Sequence, residues 1–339
     1  NGDLLVSEDS SGWWNLIVSN PIKNAKPPQT WERPWPMKAE AAMPQWVYGM
    51  RTIAWYGEDL IAACCEEGIW KILKLCSTGD VKEIQQPFDE LSGLYVNGTH
   101  ALAIASNSTT ESGLLQMNLD SMDWEHYPSR PALMHEKEIS KAENFWFQGT
   151  QGKNTHAFYY PPIGKEGLAA PLLVRSHSGP TSMANKGLNL EIQFWTTRGW
   201  GVIDVNYGGS TGFGRAYRQR INEEWGVVDV QDCASAAKAL IDMGKANPAH
   251  IAISGGSAGG FTTLSCLCFT DIFKVGACRY AVSDLSSMAK DSHRFEAQYL
   301  DTLIGEWPDT KERYLQRSPL ANANKIKCPI IFFQGLQDK

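Results

Sequence analysis

Short apolar runs separated by turn residues dominate the first part of the chain. Residues 3–6, 14–18, 60–63 and 70–75 are rich in Leu, Ile, Val and Trp, with Gly, Asn, Ser and Asp between them. This pattern predicts strands joined by tight turns. After about residue 150 the rhythm changes, and apolar runs of strand length alternate with longer segments of helical spacing. Two regions with different architectures are therefore expected, at 1–140 and 141–339.

The first region carries a faint repeat. Asp3-Leu4-Leu5, Gly12, Trp14 and Leu16 are echoed 56 positions later by Asp59-Leu60-Ile61, Gly68, Trp70 and Ile72. A looser third copy runs from Ala101-Leu102 through Gly113 to Met117. Repeats of about 40–50 residues, each a few strands, point to propeller blades. About three blades fit, whereas a closed ring needs at least about four. The expectation is a partial β-propeller, with an irregular β sandwich as the alternative. Trp13, Trp14, Trp31, Trp35, Trp46, Trp55 and Trp70 would pack between blades, and Pro27-Pro28 and Pro34-Trp35-Pro36 would lie in loops. Glu66-Glu67 reads as a solvated hairpin tip, with capture of a peptide amino terminus as the sharper alternative.

In the second region, strands are expected at 156–160, 171–177, 201–207, 275–282 and 329–334. A helix is expected at 188–198, ended by Gly199, and another on the stripe Val230, Ala234, Ala237, Leu240 and Ile241, ended by Gly244. Such alternation predicts a doubly wound, mostly parallel sheet covered on both faces. Ligands of these sheets bind beyond the carboxyl ends of the strands.

One such end is Ile251-Ala252-Ile253-Ser254-Gly255-Gly256-Ser257-Ala258-Gly259, followed by an apolar helical run at 261–269. A strand that meets Gly-x-Ser-x-Gly and then a helix describes a nucleophile elbow with Ser257 at its tip. The bend is crowded, which explains the small residues around it. The bland alternative is an ordinary strand-to-helix turn.

A serine hydroxyl needs a base to take its proton and a carboxylate to orient that base. An elbow on such a sheet predicts an α/β-hydrolase domain, in which the triad order is Ser, then Asp or Glu, then His, and the acid leaves a later strand end. Asp338 does so, after Pro329-Ile330-Ile331-Phe332-Phe333 and the turn Gln334-Gly335-Leu336-Gln337; a surface aspartate is the bland alternative. The base should follow the acid, but His100, His126, His135, His156, His177, His250 and His293 all precede it. The expectation is a chain cut inside its active site, with His293 a poor substitute. Two oxyanion donors are expected: the amide of Ala258, and that of Gly179 in the turn after residues 172–177. His177 would be a packed histidine shaping that turn.

The formal net charge of −6 and the absence of a basic cluster argue against nucleic acid. No apolar run approaches the roughly 20 residues of a membrane span. The eight cysteines form no paired Cys-x-x-Cys motif, so zinc is not expected. Several lie in apolar runs as small hydrophobes, which points to a reduced, cytoplasmic setting.

With these residues in view, the chain resembles the prolyl oligopeptidase family of serine peptidases, in the branch of acylaminoacyl-peptidases and dipeptidyl aminopeptidase-like proteins. The motifs are His177-Ser178-Gly179-Pro180-Thr181, Asn206-Tyr207-Gly208-Gly209-Ser210-Thr211-Gly212-Phe213-Gly214, Gly255 to Gly260, and Gln334-Gly335-Leu336-Gln337-Asp338. The first half matches only loosely, as part of the family's propeller. The resemblance implies Ser257 as nucleophile, Asp338 as triad acid, Gly179 and Ala258 as oxyanion donors, and a histidine some tens of residues past the last one here. It implies a chain truncated at both ends, and a propeller that admits only short peptides. Ser178 stands where the family commonly has glycine.

The expected activity is hydrolysis of short peptides through an acyl-enzyme, with no metal or organic cofactor. An esterase or thioesterase using the same triad, and a catalytically dead binding module, are the alternatives. The sequence sets neither oligomeric state nor residue preference.

Overall fold

The computed structural model describes residues 4–19, 31–44, 49–164, 169–291, 296 and 298–338. They form two compact units. One comprises Asn1–His135, Asn185–Leu188 and Thr211–Tyr217; the other comprises Glu136–Ala184, Asn189–Ser210 and Arg218–Lys339.

The first unit holds three antiparallel sheets in which sequence neighbours pair. β1 (Leu5–Glu8), β2 (Asn15–Ser19) and β3 (Trp31–Glu32) form one. β4 (Ile53–Tyr56), β5 (Asp59–Glu66), β6 (Ile69–Leu75) and β7 (Val81–Ile84) form the second. β8 (Glu90–Asn97), β9 (His100–Asn107), β10 (Thr110–Asn118) and β11 (Trp124–Pro128) form the third. The repeat of 56 is a repeat of hairpin register: Leu5 faces Val18, and Ile61 faces Lys74. Both turns place glycine at positive φ, Gly12 at 93° and Gly68 at 79°.

Leu16, Trp35, Leu60, Ala62, Cys64 and Leu75 form the core shared by the first two sheets. Not every tryptophan joins a core. Trp35 and Trp70 are buried, but Trp31 is 44% and Trp55 is 54% exposed. Those two lie on β3 and β4, which are edge strands. Trp46 and the Pro27-Pro28 pair lie outside the described residues. Glu66 ends β5 and pairs with Lys71 at 2.8 Å, an ordinary hairpin-tip ion pair.

The second unit is built on a seven-stranded mixed sheet of order β12-β13-β15-β14-β16-β17-β18. The strands are β12 (Glu143–Gln148), β13 (Asn154–Tyr160), β14 (Ala170–Ser176), β15 (Gly201–Asn206), β16 (Ala246–Gly256), β17 (Val275–Arg279) and β18 (Ile330–Phe333). The β12–β13 and β13–β15 pairings are antiparallel, and the others are parallel. β15 is buried at every position, as expected of a strand covered on both faces.

The helices are α1 (Leu190–Thr196), the single turn α2 (Arg215–Arg218), α3 (Val228–Asp242), α4 (Ala258–Phe269), α5 (Leu285–Asp291), α6 (Tyr299–Leu303) and α7 (Lys311–Arg317). Alternate strand residues point to opposite faces. Val174, Val205, Ile251 and Ile253 share one core with Cys233, Ala237, Leu240 and Phe261 of α3 and α4. Leu173, Val202 and Ala252 share the other with Ile192 of α1. α1 is shorter than expected because Asn189 caps it, accepting from Glu191 N–H at 2.9 Å and Ile192 N–H at 3.3 Å. The strand expected at 275–282 stops at Arg279, since Tyr280 turns to φ 38°.

Candidate active site

Ser257 is the single residue between β16 and α4, with φ 53° and ψ −123°. A non-glycine residue in this region carries backbone strain of order 1–3 kcal/mol, so its surroundings must hold it there. Ser257 N–H donates to Arg279 O at 3.0 Å, and its carbonyl accepts from Phe261 N–H at 3.0 Å. Its partly exposed hydroxyl makes no capping bond to α4.

The flanking glycines are required by contact. A Cβ on Gly259 would lie 2.1 Å from Ser176 O, and one on Gly255 would lie 2.3 Å from Gly259 O. On Gly260 it would meet the Ala281 Cβ at 2.5 Å. Gly256 is looser, with the Tyr280 ring at 3.0 Å. Strand, elbow and helix therefore pack backbone against backbone.

The turn after β14 emerges beside this elbow because β14 and β16 are parallel, with Ser176 paired to Gly255. Neighbouring strands lie about 4.8 Å apart. Gly179, at φ 132°, sits in that turn and precedes a cis peptide to Pro180. The Ala258 amide opens α4, where the first N–H groups have no intrahelical acceptor. The residues around the turn are tied in place. Ser176 Oγ donates to Gly259 O at 2.8 Å, and Ser178 Oγ donates to Gly256 O at 2.9 Å. Tyr207 Oη donates to His177 O at 2.9 Å. Tyr299 Oη lies 2.5 Å from Thr181 Oγ1 and accepts from Thr181 N–H at 3.3 Å.

His177 belongs to this scaffold. Its Nδ1–H donates to Ser178 O at 2.7 Å, and its Nε2 pairs with Ser210 Oγ at 2.7 Å. Burial pushes its pKa down to about 4, opposed by the bond to Ser178. A neutral imidazole bonded at both nitrogens is a structural group. His293 lies outside the described residues.

Asp338 follows β18, which is separated from β16 by β17 alone. Two strand spacings are about 10 Å across the sheet. The Asp338 carboxylate is exposed and accepts from Gln334 Nε2 at 2.8 Å, while its N–H donates to Gly335 O at 3.2 Å. It lines a cleft of about 540 Å³ together with Gln334, Tyr280, Asp284, Asp291 and Glu296. A second, apolar cleft of about 520 Å³, walled by Trp195, Trp200 and Phe333, includes neither Ser257 nor Asp338.

α3 steadies α4 from behind. Thr262 Oγ1 donates to Asp229 Oδ2 at 2.5 Å, and Gly226 N–H donates to Oδ1 at 2.7 Å. Burial pushes the Asp229 carboxyl up to about 6, with these bonds opposing. Asp232 accepts from Gly208 N–H at 2.8 Å and from Thr150 N–H at 2.7 Å.

The sequence singled out Ser257, Ala258, Gly179 and Asp338. The structure sets the first three at the ends of adjacent strands β14 and β16, and Asp338 beyond β18. Sequence reasoning gave no role to the hydroxyls of Ser176, Tyr207 and Tyr299. Tyr207 had a signal, since it stands in a quoted motif; a buried serine and a distant tyrosine had none.

Among the described residues, no cluster of three or more His, Cys, Asp or Glu side chains could hold a metal ion, and no helix is long and apolar enough to cross a membrane. The eight cysteines are free, and all but Cys328 are buried.

Residues 186–339 match the profile of the Prolyl oligopeptidase family. Dipeptidyl aminopeptidase BIII of Pseudoxanthomonas mexicana is 32% identical over 181 residues, 52% of this chain and 26% of that protein. The acylamino-acid-releasing enzyme of Arabidopsis thaliana is 31% identical over 182 residues, 51% of this chain and 24% of that protein. A puromycin-hydrolyzing peptidase of Mycobacterium tuberculosis superposes with a TM-score of 0.93 at 36% identity, covering 99% of this chain and 53% of that one. The crystal structure of a puromycin hydrolase gives 0.93 at 35%, covering 99% and 51%. The chain thus spans about half the length of these solved structures, and its alignments cover about a quarter of the curated relatives. The motifs and the fold lead to one assignment: residues 186–339 belong to the prolyl oligopeptidase family.

Proposed function

We propose that the full-length protein is a serine peptidase that cleaves short peptides through an acyl-enzyme on Ser257. One observation carries this reading: the hydroxyl-bearing residue is held at φ 53° on an elbow where Gly255 and Gly259 leave no room for a side chain, beside the turn bearing Gly179. Ser257 Oγ attacks the substrate carbonyl and passes its proton to a histidine outside these 339 residues, as the family resemblance implies. The carbonyl oxygen becomes an oxyanion that accepts from the Ala258 and Gly179 amides. The C–N bond then breaks, the amine leaves with the proton, and water hydrolyses the ester to restore Ser257. Asp338 orients the histidine. The three antiparallel sheets are read as blades of a propeller over residues 1–140, ahead of an α/β-hydrolase domain over 141–339, and no cofactor takes part.

Puromycin is a second candidate substrate, because solved structures that match 99% of this chain include proteins named for hydrolysing it. The test is labelling of the full-length protein with a fluorophosphonate, alongside turnover of a peptide amide, puromycin and a short ester. Labelling lost in Ser257→Ala, with turnover of an amide, is expected. Ester-only turnover would favour an esterase, and absence of labelling in the wild type would favour a binding module.

A further inference from the structure

The strand that delivers Gly179 ends at Ser176 and continues into the turn His177-Ser178, and both serines send their hydroxyls across to the elbow. Ser176 Oγ donates to Gly259 O at 2.8 Å, with Thr263 Oγ1 at 3.3 Å, and is buried. Ser178 Oγ donates to Gly256 O at 2.9 Å. These bonds land on opposite sides of Ala258. One carbonyl belongs to the residue after Ala258; the other belongs to the residue before Ser257. The elbow is thus gripped on both flanks by the segment that presents the Gly179 amide.

We infer that Ser176 and Ser178 are positioning residues that set the spacing between the Gly179 and Ala258 amides. The inference rests on the proposed acyl-transfer reading, because spacing matters only if both amides serve one oxygen. Hydrogen-bond donors act on a developing oxyanion only when they are already placed at the distance it will need. Parallel pairing of β14 with β16 brings the two loops together but stops at Ser176 and Gly255. Past the last paired residues, these hydroxyls bond the two segments together. The Ser178 bond is the more informative of the two. It joins the residue before Gly179 to the residue before Ser257, and its side chain is exposed enough to be removed without opening a cavity.

The experiment uses the full-length protein and a chromogenic peptide amide. Ser178→Ala should lower kcat about three- to tenfold, the rate equivalent of one neutral hydrogen bond. KM should stay at its wild-type value, and the melting temperature should fall by no more than a few degrees. Ser178→Thr, which keeps the hydroxyl, should restore kcat. A peptide aldehyde, whose adduct carries the oxyanion, should bind Ser178→Ala more weakly by the same factor, while the product peptide binds unchanged. Wild-type kcat in Ser178→Ala, or an equal loss in Ser178→Thr, would overturn the clasp. Ser257→Ala is the control: turnover surviving there removes the acyl-enzyme reading itself, whereas turnover lost there but intact in Ser178→Ala removes the clasp alone.

Discussion

The imidazole of His177 lies flat on the ring of Tyr207, with centroids 4.2 Å apart and planes inclined by 14°, and the Tyr207 hydroxyl returns to the His177 carbonyl at 2.9 Å. One aromatic pair thereby fixes both the side chain and the backbone of the residue two positions before Gly179. Tyr207 is fully buried, so its hydroxyl has no water to turn to. Tyr207→Phe should destabilise the protein by about 1 kcal/mol, the net value of one buried hydrogen bond. It should also lower kcat several-fold by loosening the turn. Denaturant unfolding read beside turnover checks both effects, and a variant as stable and active as wild type would contradict the scaffold role.

His156 makes a pH prediction with a definite sign. It is fully buried on β13, and its Nδ1 faces Asn206 Nδ2 at 3.0 Å. Asn206 Oδ1 accepts from Ala184 N–H at 2.7 Å, so the amide nitrogen is the end turned to His156, as a donor. The ring is therefore neutral at Nδ1, and burial lowers its pKa from 6.5 to about 3. As pH falls from 6.5 towards 3, the unfolded chain takes up a proton that the folded chain refuses, so stability falls. Asp229 works in the opposite sense. Raised from 3.8 to about 6, it takes its proton in the folded state first and gains relative stability as pH drops through 6. His177, lowered to about 4, acts with His156. Comparing the urea midpoint at pH 7 and pH 5 in wild type and in His156→Gln isolates one group. The midpoint should drop less in the variant, and an equal drop would refute the assignment.

The glycines around the elbow should not be equivalent. Gly259→Ala forces a methyl against the Ser176 carbonyl at 2.1 Å, where only backbone could yield. Gly256→Ala meets the edge of the Tyr280 ring at 3.0 Å, and Tyr280 is 54% exposed and able to move. Overpacking typically costs about 1–3 kcal/mol. Gly259→Ala should reach the upper end of that range or fail to fold, while Gly256→Ala should stay soluble with a small loss. Thermal melts of the two variants decide it.

Ser257 should be a site where stability and reactivity oppose each other. Its φ of 53° suits glycine better than any side chain. Ser257→Gly should therefore unfold about 1 kcal/mol harder than wild type while losing all fluorophosphonate labelling. Ser257→Ala keeps the Cβ and should gain little. A Ser257→Gly variant less stable than wild type would mean that the strain is carried elsewhere.

Much of this was legible in the sequence because the informative features are local. The elbow could be read from Gly255 to Gly259, since crowding at a bend dictates residue size directly. The repeat of 56 could be read because two hairpins keep one register, with Leu5 facing Val18 and Ile61 facing Lys74. Features that depend on long-range contact were not legible. Nothing near Tyr299 in sequence announces Thr181, 118 positions away. Trp55 looks like a core residue until β4 proves to be an edge strand. The strand expected to run to 282 stops early because Tyr280 turns, which local composition does not signal.

The pairing of Ser176 with Gly255 has a further consequence. The Ser176 hydroxyl reaches a carbonyl 83 positions along the chain, and β15 is made between the two strands but paired on the far side of β14. Contacts of such long loop closure form late, after their entropic cost has been met. A nascent polypeptide leaving the ribosome therefore carries Ser257 and Ala258 before the turn bearing Gly179 is fastened beside them. The proposed oxyanion site is assembled only once β14 and β16 have paired.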